Sequence, residues 1–101
     1  MSRDEAAQEA ELQAKGLTAP RLTPADIDAA ITAEQYHLFP LTTTTVCCLT
    51  LRNGYTVIGE SACASASNFD AEFGRKLARE NARNKIWQLE GYLLREKLYR
   101  G

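Results

Sequence analysis

One histidine, one tryptophan, one methionine and three prolines in 101 residues leave few of the parts from which catalytic sets are assembled. Hydrolysis of a phosphodiester or glycosidic bond generally calls for a metal cluster or a histidine partnered by a carboxylate, and His37 is the single imidazole. Neither an enzyme nor a metal or organic cofactor is expected. Cys47, Cys48 and Cys63 lack the spacing of a zinc site. The adjacent pair Cys47 and Cys48 point to opposite faces of a strand and cannot easily bridge, so reduced, buried thiols are expected. Long apolar runs are missing as well. No stretch approaches the about eighteen residues of a membrane span, and no apolar segment follows Met1 as in a secretory signal, so a soluble protein of the cytoplasm is expected. An excess of either charge is also absent: twelve basic against thirteen acidic residues give −1, which argues against a general affinity for nucleic acid.

What is present is organised around the run from Asn68 to Tyr99. At a period of 3.6, Phe69, Phe73, Leu77, Ala82, Ile86, Leu89, Leu93 and Leu98 trace one apolar stripe, predicting a single amphipathic helix or one bent near Gly91. Ser67 or Asn68 is placed to cap it, and Asp70 and Glu72 suit the positive end of its dipole. Its other face carries Arg75, Arg79 and Arg83 four residues apart, with Trp87 continuing the row. Like charges at this spacing repel. Glu72 can relieve Arg75 and Glu80 can relieve Arg83, whereas Arg79 has no acid three or four residues away, so an external anion is the expected compensation. A helix of about thirty residues spans roughly 45 Å, longer than a domain of this size is wide. Part of the stripe therefore needs a surface outside the monomer, and a homo-oligomer is expected.

The rest of the chain divides at residue 22. Residues 1–21 read as an acidic helical arm and linker, with Ser2 and Glu5 matching a capping box, Gly16 suiting the stop, and Leu12 the only large apolar side chain inside. Residues 22–101 read as one α+β domain. Thr23 as cap, Pro24 at the first helical position, Asp26 at the third and a Leu22–Ile27 staple begin a short helix. Ile27, Ala30 and Ile31 form its buried edge, and it is expected to fade before Phe39 and Pro40. From Thr42 to Ala64 the period becomes two, and Asn53-Gly54 signals a hairpin with a two-residue turn. That turn sets Leu51 opposite Thr56 and Leu49 opposite Ile58, gathering Leu49, Leu51 and Ile58 toward the long helix. The other side, with Val46, Cys48, Thr50, Val57 and Tyr55, is too apolar to be fully wetted. A lone hairpin is marginal, so further strands are expected from another subunit. The fold is thus an antiparallel hairpin packed on a long C-terminal helix, with short N-terminal helices.

Several ordered blocks in the second half resemble a known family. They read Leu-Thr-Leu-x-Asn-Gly-Tyr at 49–55, Gly-Glu-Ser-Ala-Cys at 59–63, Asn-Phe-Asp at 68–70 and Gly-Arg-Lys-x-Ala-Arg at 74–79, followed by Asn-Ala-Arg-Asn-Lys-Ile-Trp at 81–87 and Leu-Glu-Gly-Tyr-Leu-Leu-Arg at 89–95. Together they resemble a tailed-phage family of small proteins of formerly unknown function. The hairpin-then-helix pattern, ending in a Trp-x-Leu-Glu-Gly-Tyr block, is also similar to the Thoeris anti-defence proteins of phages. Those are oligomeric sponges that hold cyclic ADP-ribose signals between subunits without cleaving them, and some relatives hold cyclic oligonucleotides at a separate basic site. The resemblance implies a binding protein in the host cytoplasm, with a cyclic nucleotide signal and its own copies as partners, as a dimer or a higher assembly such as a hexamer. The first eighteen residues fall outside it.

Such a ligand presents an adenine face, phosphates and ribose hydroxyls, and asks for stacking rings, guanidinium forks and amides. Tyr55, Phe69 and Trp87 are the stacking candidates, and Arg75, Arg79, Arg83 and Arg95 the phosphate candidates. Asn68, Asn81 and Asn84 can read ribose or base edges. The ligand set expected is Tyr55, Asn68, Phe69, Arg75, Arg79, Arg83 and Arg95. The alternative is a small phage regulator that binds nucleic acid through the arginine stripe, or binds a host protein.

Overall fold

Helix capping, strand alternation and one tight turn account for most of the local structure. The computed structural model describes residues 5–16 and 19–101. Along the chain run α1 (Glu5–Ala14), α2 (Pro24–Ala29), β1 (Ile31–Leu38), β2 (Thr45–Leu51), β3 (Thr56–Ser61), a 3-10 turn over Ala66–Asn68, α3 (Ala71–Asn84) and α4 (Ile86–Arg100). The expected cap at Ser2 lies outside the described residues. At α2 the capping box is complete: the Asp26 amide donates to Thr23 Oγ1 at 3.3 Å and the Thr23 amide to Asp26 Oδ2 at 3.0 Å.

The short helix stops after Ala29, and the segment expected to continue it is a strand. β1 pairs antiparallel with β2, from Ile31 opposite Leu51 to Leu38 opposite Thr45. The sheet therefore has three strands in the order β1-β2-β3, all from one chain, and needs none from another subunit. β1 was not legible as a strand because it is an edge: most of its side chains face water, which erases the alternation that betrays a half-buried strand.

The hairpin is also one residue out of its expected register. The Leu51 amide donates to the Tyr55 carbonyl at 2.7 Å and the Gly54 amide to the Leu51 carbonyl at 2.8 Å, enclosing three loop residues, 52–54. Gly54 takes a φ of 91°, the left-handed position of such a loop, which glycine occupies without strain. Leu49 consequently faces Val57, Cys48 faces Ile58 and Cys47 faces Gly59. A one-residue slip exchanges the faces of β3. Val57 is buried beside Leu49 and Leu51, whereas Ile58, expected inside, is 40% exposed on the outer face with Val46 and Cys48.

α3 lies on the inner face. Its cap is Asp70, whose Oδ1 accepts from the Phe73 amide at 3.1 Å, because Ser67 and Asn68 are consumed in the 3-10 turn. The break between α3 and α4 falls at Lys85 instead of Gly91. Ala78, Ala82 and Ile86 meet Cys47, Leu49 and Val57 in the core, with Ile27 and Ala30 closing one end. Small side chains on the helix and Gly59 on the sheet let the backbones nearly touch: a Cβ at Gly59 would stand 2.1 Å from the Ala82 amide nitrogen. Only part of the expected stripe is therefore core. Phe73, Leu93 and Leu98 lie exposed, and α4 contributes to a molecule 51 Å long and 17 Å thin. Among the described residues no helix is long and apolar enough to cross a membrane.

Candidate functional site

The arginine row keeps its spacing on α3, but two of its three members are spoken for. Arg79 Nε donates to Glu34 Oε1 on β1 at 2.6 Å, an acid 45 residues away in the chain. The expectation that Arg79 lacks a counter-charge held only within its own helix, and the sheet supplies the missing carboxylate. Arg83 is buried. Its Nε donates to Asp28 Oδ1 at 2.7 Å, its Nη1 and Nη2 to the two carboxylate oxygens of Glu5 at 2.8 and 3.2 Å, and Nη2 also to the Pro24 carbonyl at 3.3 Å. The hydrogen bond it donates to Glu34 raises the Arg79 guanidinium above its ordinary range, and the bonds donated to Glu5 do the same for Arg83, against the desolvation that opposes both. Trp87, next in the row, packs half-buried against the core. Arg75 is exposed.

The remaining candidates line separate clefts. The first, about 180 Å³, opens where the sheet ends and α3 begins, with Thr43, Ser61, Cys63, Asn68, Phe69 and Phe73 among its walls. Local hydrogen bonds shape it. Thr43 Oγ1 donates to the Cys63 carbonyl at 2.6 Å and accepts from the Cys63 amide at 3.1 Å, while Ser61 Oγ donates to the Gly74 carbonyl at 2.7 Å. Thr43 thereby ties Cys63 of the loop to the connection between β1 and β2, Ser61 ties the end of β3 to α3, and the sequence neighbours Asn68 and Phe69 both line the cleft. Here an exposed Phe73 and a half-buried Phe69 share the lining with the Thr43 and Ser61 side chains and with Asp70.

A second cleft, about 290 Å³, is more apolar and is lined by Leu51, Asn53, Tyr55, Leu89, Tyr92 and Leu93. Arg52 and Glu90, paired at 2.9 Å, complete its lining. Tyr55 belongs here, away from Asn68 and Phe69. A third cleft, about 350 Å³, has Glu5, Asp28, Lys76, Arg79, Glu80 and Arg83 around it. Arg75 and Arg95 are exposed on α3 and α4 and line none of these three. The seven expected ligand residues thus form no single site within one chain.

Sequence reasoning missed Thr43, Phe73 and Tyr92 as cleft residues. Phe73 was assigned to the core by its helical spacing, and the pairing of Thr43 with Cys63 crosses twenty residues. Asn81 turns out to serve the fold, since its Nδ2 donates to the Glu60 carbonyl at 2.8 Å. Among the described residues no group of three or more His, Cys, Asp or Glu side chains is arranged to hold a metal ion.

No curated protein and no solved structure matches the chain. Residues 22–98 match a family of phage proteins, a span that takes in α2, the whole sheet and α3 and leaves α1 outside. The chain belongs to the Phage protein (N4 Gp49/phage Sf6 gene 66) family.

Proposed function

We propose that this phage protein is a non-enzymatic sponge: a homo-oligomer that holds a cyclic nucleotide immune signal, of the cyclic ADP-ribose kind, between subunits and withholds it from the host's defence. The observation that carries this reading is the cleft at the start of α3, where Phe69 and Phe73 offer stacking faces and Asn68 an amide. Ser61 and Thr43, whose hydroxyl protons go to the Gly74 and Cys63 carbonyls, can only accept, and Asp70 in the same lining is an acid that the ligand's phosphates must avoid. Its volume of about 180 Å³ is below the roughly 300 Å³ at which small-molecule pockets begin. A ligand with an adenine, two riboses and two phosphates overfills it and needs a second wall.

A second subunit is the natural source of that wall. The outer face of the sheet, with Val46, Cys48 and Ile58, and the exposed Tyr92, Leu93, Leu98 and Tyr99 of α4 are apolar surfaces that favour association. Arg75 and Arg95, the two candidate arginines left exposed, are the guanidiniums that meet phosphates in this reading. Arg79 and Arg83, held by internal carboxylates, are not part of it.

The test is to incubate the protein with a mixture of cyclic ADP-ribose isomers and cyclic oligonucleotides, denature it, and identify what is released. An intact cyclic ADP-ribose is expected, together with a multi-chain mass by light scattering. Phe69→Ala should abolish retention, and the mass of the assembly should stay. A product that is linear and accumulates with time would instead require catalysis. A host-protein-binding regulator is the second reading, favoured by the apolar exposed side of α4. A single-chain mass with no nucleotide released selects it.

A further inference from the structure

The Arg83 site is built like a receptor for an oxyanion, and the chain itself occupies it. Arg83 is held in place without α1, by Asp28 at its Nε and by the Pro24 carbonyl at Nη2. Its fork then closes bidentately on Glu5, the geometry in which guanidinium recognises carboxylate and phosphate alike. The element bringing Glu5 has little else to hold it. α1 has ten residues, too few to be a stable helix alone, its one buried side chain is Glu5, and Leu12 is only half-buried. A second ion pair, Glu9 with Arg21, ties it down. The family match begins at residue 22, so the arginine belongs to the shared body and the glutamate to an added arm.

We infer that α1 is a displaceable internal ligand: Glu5 fills an oxyanion site at the Arg83 fork, and a phosphoryl group entering the third cleft takes its place and releases the arm. Lys76 and Arg79 line the same cleft together with Asp28 and Glu80, so departure of Glu5 turns three cations against three acids into three against two. A phosphoryl group offers the guanidinium fork and Lys76 three acceptor oxygens where a carboxylate offers two. Release of α1 then reports that the site is filled. This inference does not rest on the cyclic-nucleotide reading, whose cleft shares no lining residue with this one.

The experiment uses the full chain with inorganic phosphate, against chloride at matched ionic strength. Glu5→Gln should bind phosphate about tenfold tighter than the wild type, the scale of one charge-assisted hydrogen bond no longer competing. Glu9→Gln, which loosens the arm without touching the fork, should also bind tighter, by less. In the wild type, phosphate should speed hydrogen exchange of the α1 amides more than chloride does. Equal phosphate affinity in the wild type and both variants overturns the inference. So does equal release of α1 by chloride, which would make the arm a screened surface contact, and so does undiminished phosphate binding when Arg83→Lys is added to Glu5→Gln.

Discussion

Replacing Gly59 with alanine tests the register of the hairpin and the seat of α3 together. The added Cβ would lie 2.1 Å from the Ala82 nitrogen, 2.3 Å from the Ala78 carbonyl oxygen and 2.7 Å from the Ala82 Cα, where ordinary contact begins at 3.4 Å. All three atoms are backbone, so no side chain can swing aside. Relief requires α3 to retreat from the sheet by roughly 1 Å, and a gap of that size forfeits a quarter to half of the dispersion energy between facing atoms. The seam affected joins Ala78, Ala82 and Ile86 to Cys47, Leu49 and Val57. Overpacking of this kind costs about 1–3 kcal/mol, with backbone-on-backbone contact at the upper end. Stiffening of the unfolded chain by alanine offsets only about 0.5 kcal/mol. The net loss is placed at about 2.5 kcal/mol, a sixth to a half of the roughly 5–15 kcal/mol ordinary for a domain of this size, and Tm should fall by about 10–20 °C. Urea unfolding followed by circular dichroism should show a lower midpoint with an unchanged slope. In the register with Leu49 opposite Ile58, Gly59 would face outward and alanine would be harmless. A Tm within about 2 °C of the wild type would therefore refute both the pairing and the close approach of α3.

Gly91→Ala should have the opposite sign: its Cβ would meet only Leu22 Cδ1 at 3.9 Å, and an alanine inside α4 should add about 0.5–1 kcal/mol in the same urea titration. Arg79→Ala should cost the unliganded protein less than about 1 kcal/mol, because the Arg79–Glu34 pair is more than one-third exposed on both sides, and the cost should shrink further in high salt. Burial pushes the Cys47 thiol above its ordinary value near 9, and burial likewise raises the Tyr36 hydroxyl. The folded state then keeps protons that the unfolded chain gives up, so the contribution of these two groups is fully present below their unfolded pKa values and is lost as pH rises above about 9, with Cys47→Ala flattening part of that alkaline slope. Leu93→Asp should leave the fold intact, since Leu93 is half-exposed in one chain, but should lower the mass seen by light scattering if α4 is an interface between copies.

Local signals carried far in this chain, and they stopped where the decisive neighbour was distant in sequence. The capping box at Thr23, the reversal at Asn53-Gly54 and the helical character of the run to Tyr99 are consequences of residues within a few positions of one another, so they were legible before any fold was known, whereas the break of that run at Lys85 was not. Alternation in β2 was equally plain because both its neighbours are strands and one face is core. β1 hid for the converse reason: an edge strand whose side chains meet water has no pattern of its own, and only its ladder to β2 makes it a strand. The dipeptide Asn-Gly announced a turn but left open whether two or three residues close it, and that single residue decided which of Val57 and Ile58 is core. Charge followed the same rule. The helix showed Arg79 uncompensated and Arg83 relieved by Glu80, because helical spacing sees only neighbours three and four residues away. Glu34, Asp28 and Glu5 reach those arginines across 45, 55 and 78 residues, and such contacts exist only once the sheet and the arm are folded against α3.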